Sequence, residues 1–443
     1  MSFNSFRSLF QRYSGKQCAQ FTRNLSQTAK KHFTKPVAHA GFTSGGALIA
    51  LGILGVGAYS LDARSAINEY VWCPLFRWCT TAEQGHHLGI ALLKYGIFPR
   101  AFGDHDDPVL RVDLFGRTLS NPIGMAAGFD KQAEAMDALY DLGFGIVEVG
   151  TITPEPQFGN PRPRFFRLSA DETVINRYGL NSDGRITILS RLRVRLEKYL
   201  KKSNSCKTNN SFREGKSLFV NIGKNRSGDT IKDYLVGVDT FAPYADALVL
   251  NVSCPSAPGV RDLQEKDVLL ELLNKVREER DKVGTNVVDP ARKPPIIVKV
   301  APDLSEKEIA DIADVAKKSK IDGILMSNTT TERPASLVTK GSVVQEKGGL
   351  SGRAMRDISL KAFRTLRKYT KDSDLVLIGC GGIFTGKDAI AFAKAGATAI
   401  ELYTSFAYRG PGLPDKIKDE IVQELKKEGK TWMEIVGSDD KKN

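Results

Sequence analysis

A chain of 443 residues that is 41% hydrophobic and 26% charged is globular and long enough to bury a sizeable core, so one large domain with appendages is expected. Its formal charge of +13 would point to nucleic acid if it were evenly spread, but Arg7, Arg12, Lys16, Arg23, Lys30, Lys31 and Lys35 crowd the N-terminus and the first acidic residue is Asp62; no nucleic-acid partner is expected. Six cysteines without C-x-x-C or zinc spacing argue against a disulfide framework or a metal site, and no histidine beyond His105 is available as base or ligand.

Residues 1–35, rich in Ser, Thr, Phe and Arg and free of acids, read as a mitochondrial presequence, with a disordered basic tail as the alternative. From Pro36 to Leu61 there is no charged side chain. The apolar, glycine-rich stretch Gly45–Tyr59 with its flanks suffices to cross a hydrocarbon core of roughly 30 Å, so 36–61 is expected to form a single transmembrane helix. Residues 62–106 follow with Trp72, Cys73, Leu75, Phe76 and Trp78, then a helix-start signal at Thr80 and apolar Leu88, Ala91, Leu92 and Tyr95. Two short amphipathic helices are predicted, lying against the bilayer or closing one end of the main domain.

From 107 to 443, apolar runs alternate with helical patterns. The runs are Asn121–Phe129, Phe144–Thr151, Phe219–Gly223, Ala247–Ser253, Ile296–Ala301, Gly323–Thr329, Leu375–Gly382 and Ala399–Ser405. This predicts a parallel α/β (β/α)8 TIM barrel, with a doubly wound open sheet as the weaker alternative. The polar insertion Lys201–Gly215 reads as a mobile surface loop.

Barrel enzymes place their chemistry at the C-terminal ends of strands. The ends here carry Ala127 and Gly128, Gly150 and Thr151, Asn221, Asn251 with Ser253, Lys299, Ser327 with Asn328 and Thr329, Gly381 and Gly382, and Tyr403 with Thr404. Lys299 interrupts the run Pro295–Ala301, and a buried ammonium needs an anionic or strongly accepting partner, so a ligand is expected against it. Three asparagines with a lysine and several hydroxyls suggest donors and acceptors around a heteroaromatic ring. Gly381-Gly382, a helix N-terminus near Gly386 and Tyr403-Thr404 form a candidate phosphate site. Cys254, on a loop stiffened by Pro255 and Pro258, is the one thiol expected to act, as a base.

These residues, with Ala126–Lys131, Gly159–Arg167, Ile175–Ser182, Asn221–Asn225, Ser327–Thr330, Gly348–Gly352 and Leu402–Thr404, resemble the membrane-bound, quinone-reducing class 2 dihydroorotate dehydrogenases of mitochondria, over essentially the whole chain. The resemblance implies FMN held by Ala127, Gly128, Thr151, Asn176, Asn221, Asn251, Lys299, Ser327, Gly352, Gly382, Tyr403 and Thr404, with Lys299 stabilising the reduced ring. It implies dihydroorotate held by Lys131, Asn176, Asn251, Ser256, Asn328 and Thr329, with Lys131 on the carboxylate. A base removes the C5 proton while hydride leaves C6, giving orotate. Ubiquinone then reoxidises the flavin through a tunnel in residues 62–106, past His86 and with Arg167 at its inner end. The implied location is the inner mitochondrial membrane, in contact with its lipid, and the implied pathway is pyrimidine biosynthesis. Class 2 members place serine where Cys254 stands, as the soluble class 1 members place cysteine, and Ser256 and Ala257 replace the usual Asn and Thr. Ser253 is the alternative base. A different FMN barrel acting on RNA, and an unreactive membrane-anchored scaffold, are the competing readings; the first predicts basic clusters at the barrel mouth and the second a colourless protein.

Overall fold

The computed structural model describes residues 44–103, 106–202, 209–283 and 286–442, and the chain divides after Gly57 into two units. The expected presequence, and residues 36–43 of the expected span, lie outside the described residues. Helix α1 (Ser44–Ser60) contains no charged residue, and Leu51, Ile53 and Leu54 each stand more than 60% exposed. Its 17 residues rise about 26 Å. Among the described residues no helix is long and apolar enough to cross a membrane.

The second unit opens with the two expected short helices. A π-turn at Asn68–Trp72 runs into α2 (Cys73–Cys79), and α3 (Ala82–Lys94) follows, started by a reciprocal cap in which Thr81 and Gln84 satisfy each other's backbone amides. Glu83 of α3 is nearly buried and is met by Arg164 at 2.9 Å and Arg162 at 3.1 Å, which fastens the helix to the chain entering the barrel loops. Val71, Leu75, Phe76 and above all Trp78 leave apolar surface exposed.

A short hairpin, β1 (Val112–Leu114) and β2 (Arg117–Leu119), leads into the sheet. The strands in chain order are β3 (Ile123–Met125), β4 (Ile146–Ile152), β5 (Phe165–Leu168), β6 (Thr173–Asn176), β7 (Ser217–Ile222), β8 (Ala247–Asn251), β9 (Ile296–Val300), β10 (Gly323–Met326), β11 (Gly349–Gly352), β12 (Val376–Cys380) and β13 (Ala399–Leu402). Eight of them, β3-β4-β7-β8-β9-β10-β12-β13, pair in parallel in that order and close, with β13 beside β3. The crossovers are α4 (Met136–Asp141), α5 (Arg185–Lys202), α6 (Thr230–Phe241), α7 (Lys266–Lys282), α8 (Glu306–Ser319), α9 (Arg356–Thr370) and α10 (Gly386–Lys394); α11 (Thr404–Arg409) and α12 (Leu413–Glu428) follow β13. Strands buried on both faces explain the near-continuous apolar runs, and the barrel is of the (β/α)8 type.

Two features depart from expectation. β5, β6 and β11 form a small antiparallel sheet inserted after β4 and β10, with its own core of Leu168, Ile175, Leu350 and Met355. Of the insertion read as a mobile loop, residues 203–208 lie outside the described residues, while α5 extends through Lys202 and Asn210 and Ser211 are buried. Asp246 accepts from the Asn210 amide at 2.8 Å, Arg195 donates to the Asn210 and Ser211 carbonyls, and the Phe212 ring stacks on Tyr199 at 4.5 Å, so polar bonds and one ring contact fix residues 210–212.

Candidate active site

Lys299 projects inward from β9 and is only 5% exposed. Its Nζ lies 2.6 Å from Glu148 Oε2 on β4 and 3.5 Å from Glu401 Oε2 on β13. The expectation that an external ligand must neutralise this ammonium is therefore corrected: the chain supplies the counter-charge itself. Glu148 also accepts from the Ala127 amide at 2.7 Å and the Asn221 side-chain amide at 2.7 Å. Burial would raise the pKa of Glu148, but the charge and hydrogen bond of Lys299 hold it below its ordinary value. Burial and then the charge of Glu148 push Glu401 well above its own. Both glutamates escaped the sequence reading, although each interrupts an apolar run just as Lys299 does.

Above this floor lies a cavity ringed by strand ends. Ala127, Gly128, Thr151, Asn176, Asn251, Lys299, Ser327, Gly352, Gly382, Tyr403 and Thr404 line it, as do Lys131, Asn328, Thr329 and Cys254. Two expected residues do not reach it. Asn221 sits one layer below, bonded to Glu148, and the Ser256 hydroxyl donates to the Asn176 carbonyl at 3.3 Å. One side wall is a chain of amides: Asn328 Nδ2 donates to Asn251 Oδ1 and to Ser253 Oγ, each at 3.0 Å, and Asn251 Nδ2 donates to Thr151 Oγ1 at 2.8 Å. Ser253 is fully buried and commits its hydroxyl proton to the Lys299 carbonyl at 2.6 Å. Cys254 faces the cavity, where burial raises its thiol pKa against the pull of the Ser256 and Ala257 amides. The Lys131 ammonium stands 3.1 Å from the Tyr178 ring centroid and 3.1 Å from Asn181 Oδ1. Burial, reinforced by the charge of Arg164, pulls it down to about 7.

The residues of the expected phosphate end divide between the cavity wall and the start of α10. Gly381, Gly382, Tyr403, Thr404 and Ser405 share the cavity wall. Gly382 has φ +74°, and a Cβ there would meet the Arg356 backbone nitrogen at 2.5 Å, so only glycine fits. The N-terminus of α10 is already satisfied, by Thr385, Asp388 and Glu420, whose carboxylate accepts from the Gly386 amide at 2.5 Å. A flavin suits what remains. A cation, amide donors and acceptors, and the orphaned buried oxygen Glu401 Oε1 on the cavity wall match a polar heteroaromatic ring, and the glycine turns match a phosphate tail.

A second, apolar cavity lies between α2, α3 and the barrel, lined by Trp72, Leu88, Leu92, His86, Arg167 and Phe406 among others. Phe165, Val174 and Tyr403 line both cavities. His86 Nε2 lies 2.7 Å from the Phe129 carbonyl oxygen, which can only accept, so that nitrogen carries the proton and Nδ1 faces the Tyr178 hydroxyl at 3.4 Å. Burial and the charge of Lys131 push His86 down to about 3, which keeps it neutral.

A family model described as dihydroorotate dehydrogenase matches residues 109–425. The protein named dihydroorotate dehydrogenase (quinone), mitochondrial, of Kluyveromyces lactis is 51% identical over 433 residues, 95% of this chain and 97% of that one. Its namesake from Schizosaccharomyces pombe is 46% identical, over 87% of this chain and 89% of the relative. Among solved structures, a ligand-free dihydroorotate dehydrogenase from Eimeria tenella superposes with a TM-score of 0.74 at 38% identity, covering 81% of this chain and 99% of that one.

Proposed function

The chain belongs to the dihydroorotate dehydrogenase family, and from that premise we propose how its residues divide the reaction. It is a mitochondrial enzyme that oxidises dihydroorotate to orotate in pyrimidine biosynthesis, carries FMN and passes the electrons to a quinone. FMN, when bound, supplies the two-electron chemistry between the two substrates. The observation that carries the assignment of residues is the pair of abutting cavities, one polar over Lys299 and one apolar beside His86 and Arg167, with three shared wall residues.

In this reading Lys131 receives the substrate carboxylate, and Asn176, Asn251, Asn328 and Thr329 orient the ring through paired donors and acceptors. Cys254 removes the C5 proton. Its place on the cavity wall supports this, as does Ser253, whose hydroxyl proton is committed to a backbone carbonyl. Ala127, Gly128, Thr151, Ser327, Gly352, Gly382, Tyr403 and Thr404 hold FMN against Lys299, while Asn221 acts from below by tying down Glu148. Ubiquinone enters the apolar cavity past His86 toward Arg167. The proposed single-pass span over 36–61 and presequence over 1–35 would seat the enzyme in the inner membrane, where the exposed Val71, Leu75, Phe76 and Trp78 meet lipid.

The test is spectroscopic. The purified protein is expected to be yellow and to bleach on anaerobic addition of dihydroorotate. Cys254→Ala should slow that bleaching by roughly 10²–10⁴, as for a lost general base, and leave reoxidation by quinone unchanged. Bleaching at the normal rate would transfer the role to Ser253 or to water.

A further inference from the structure

We infer that the two glutamates beneath the cofactor site do different jobs: Glu148 is the ionised counter-charge that positions Lys299, and Glu401 is a neutral carboxylic acid that presents an uncommitted oxygen to the cavity. The inference rests on the FMN reading of that cavity. Glu148 is 0% and Glu401 1% exposed, and they share a single cation. The remaining titratable neighbour, Cys380, is held as a neutral thiol, pushed up to about 12 by burial. Two buried carboxylates around one ammonium leave a net negative charge without solvent, which is far costlier than protonating one of them. The hydrogen bonds decide which. Glu148 is saturated by the Lys299 ammonium, the Ala127 amide and the Asn221 amide, at 2.6, 2.7 and 2.7 Å. Glu401 has only the ammonium at 3.5 Å, and its Oε1 has no partner. Glu401, not Glu148, lines the cavity.

The division matters for the reaction because reduction adds negative charge above this floor. A second carboxylate would oppose that charge, whereas a neutral acid does not, and Glu148 moderates the pull of Lys299. Glu148 is thus a positioning residue that acts through Lys299.

The test uses the FMN-loaded full chain. Its infrared spectrum should contain the carbonyl band of a neutral buried carboxylic acid. Glu401→Gln should remove that band and shift the oxidised-to-reduced flavin equilibrium by less than about threefold, because an amide replaces a neutral acid. Adding Glu148→Gln should then favour reduced flavin by about 100-fold, ~60 mV for a two-electron couple, since Lys299 loses its counter-charge. A large shift from Glu401→Gln alone with no band lost would show Glu401 ionised and overturn the inference, as would a double variant indistinguishable from that single one. If the double variant fails to fold, the band and potential of Glu401→Gln decide. A protein that takes up no FMN would instead sink the cofactor reading, and the infrared arm still reports on Glu401 in the free protein.

Discussion

Cys254 faces a demand that burial opposes. A base must be a thiolate, yet the cavity raises its pKa above that of an ordinary thiol. At neutral pH only a small fraction is competent, so the rate of flavin reduction by dihydroorotate should climb roughly tenfold per pH unit until the thiol titrates. Stopped-flow bleaching across the alkaline range checks this, and a flat profile would remove Cys254 from the step. Lys131 carries the opposite dependence. Its ammonium, at about 7 before substrate arrives, is half lost at neutral pH, and a bound carboxylate favours the charged form. Orotate should bind more weakly as pH rises above 7 and take up a proton on binding. Titration calorimetry in buffers of different ionisation enthalpy measures that uptake; an enthalpy independent of buffer would place the carboxylate elsewhere.

Arg167 shows how the inserted sheet serves the site. From β5 it donates to the carbonyls of Arg77, Thr80 and Thr81 at 2.9, 2.5 and 3.0 Å, stitching the turn between α2 and α3 to the sheet that also carries Asn176 and Gly352. Arg167→Ala should raise the quinone KM by more than about tenfold through the loosened turn and leave bleaching by dihydroorotate nearly unchanged; steady-state and half-reaction kinetics together separate the two. The sheet was not legible in the sequence. Its strands are four residues long, and β11 joins β6 from far along the chain, a pairing that local pattern cannot show. The barrel was legible because burial on both faces leaves apolar runs, and its crossover helices because period and caps agree, as at Ser305 with Glu308 on α8. Strand-end residues such as Asn251, Asn328 and Cys254 were readable once the barrel was assumed. Glu148 and Glu401 lie within β4 and β13 rather than in the loops beyond them, where a strand-end pattern does not point. Ser256 was placed by sequence position alone, and its hydroxyl turns to the Asn176 backbone instead.

A quinone dissolves in lipid and dihydroorotate in water, so one chain must present a site to each phase. The polar cavity at the strand ends and the apolar cavity meet that requirement through shared walls. The described helix α1 rises about 26 Å, short of a core of roughly 30 Å, so crossing requires the uncharged residues from Pro36 onward to extend it. A charge placed within it should then be costly. Leu54→Arg, at a side chain 68% exposed, should weaken insertion by about 3 kcal/mol, whereas a surface helix would absorb it with little effect. After import into mitochondria, the unaltered protein should stay in the membrane pellet through alkaline carbonate extraction, and the Leu54→Arg variant should appear substantially in the supernatant. The variant's flavin should still bleach with dihydroorotate, because that half-reaction needs only the barrel, while its turnover with the membrane's own quinone falls. Release of the unaltered protein by carbonate would refute the span and leave the exposed apolar side chains of α2 as the membrane contact.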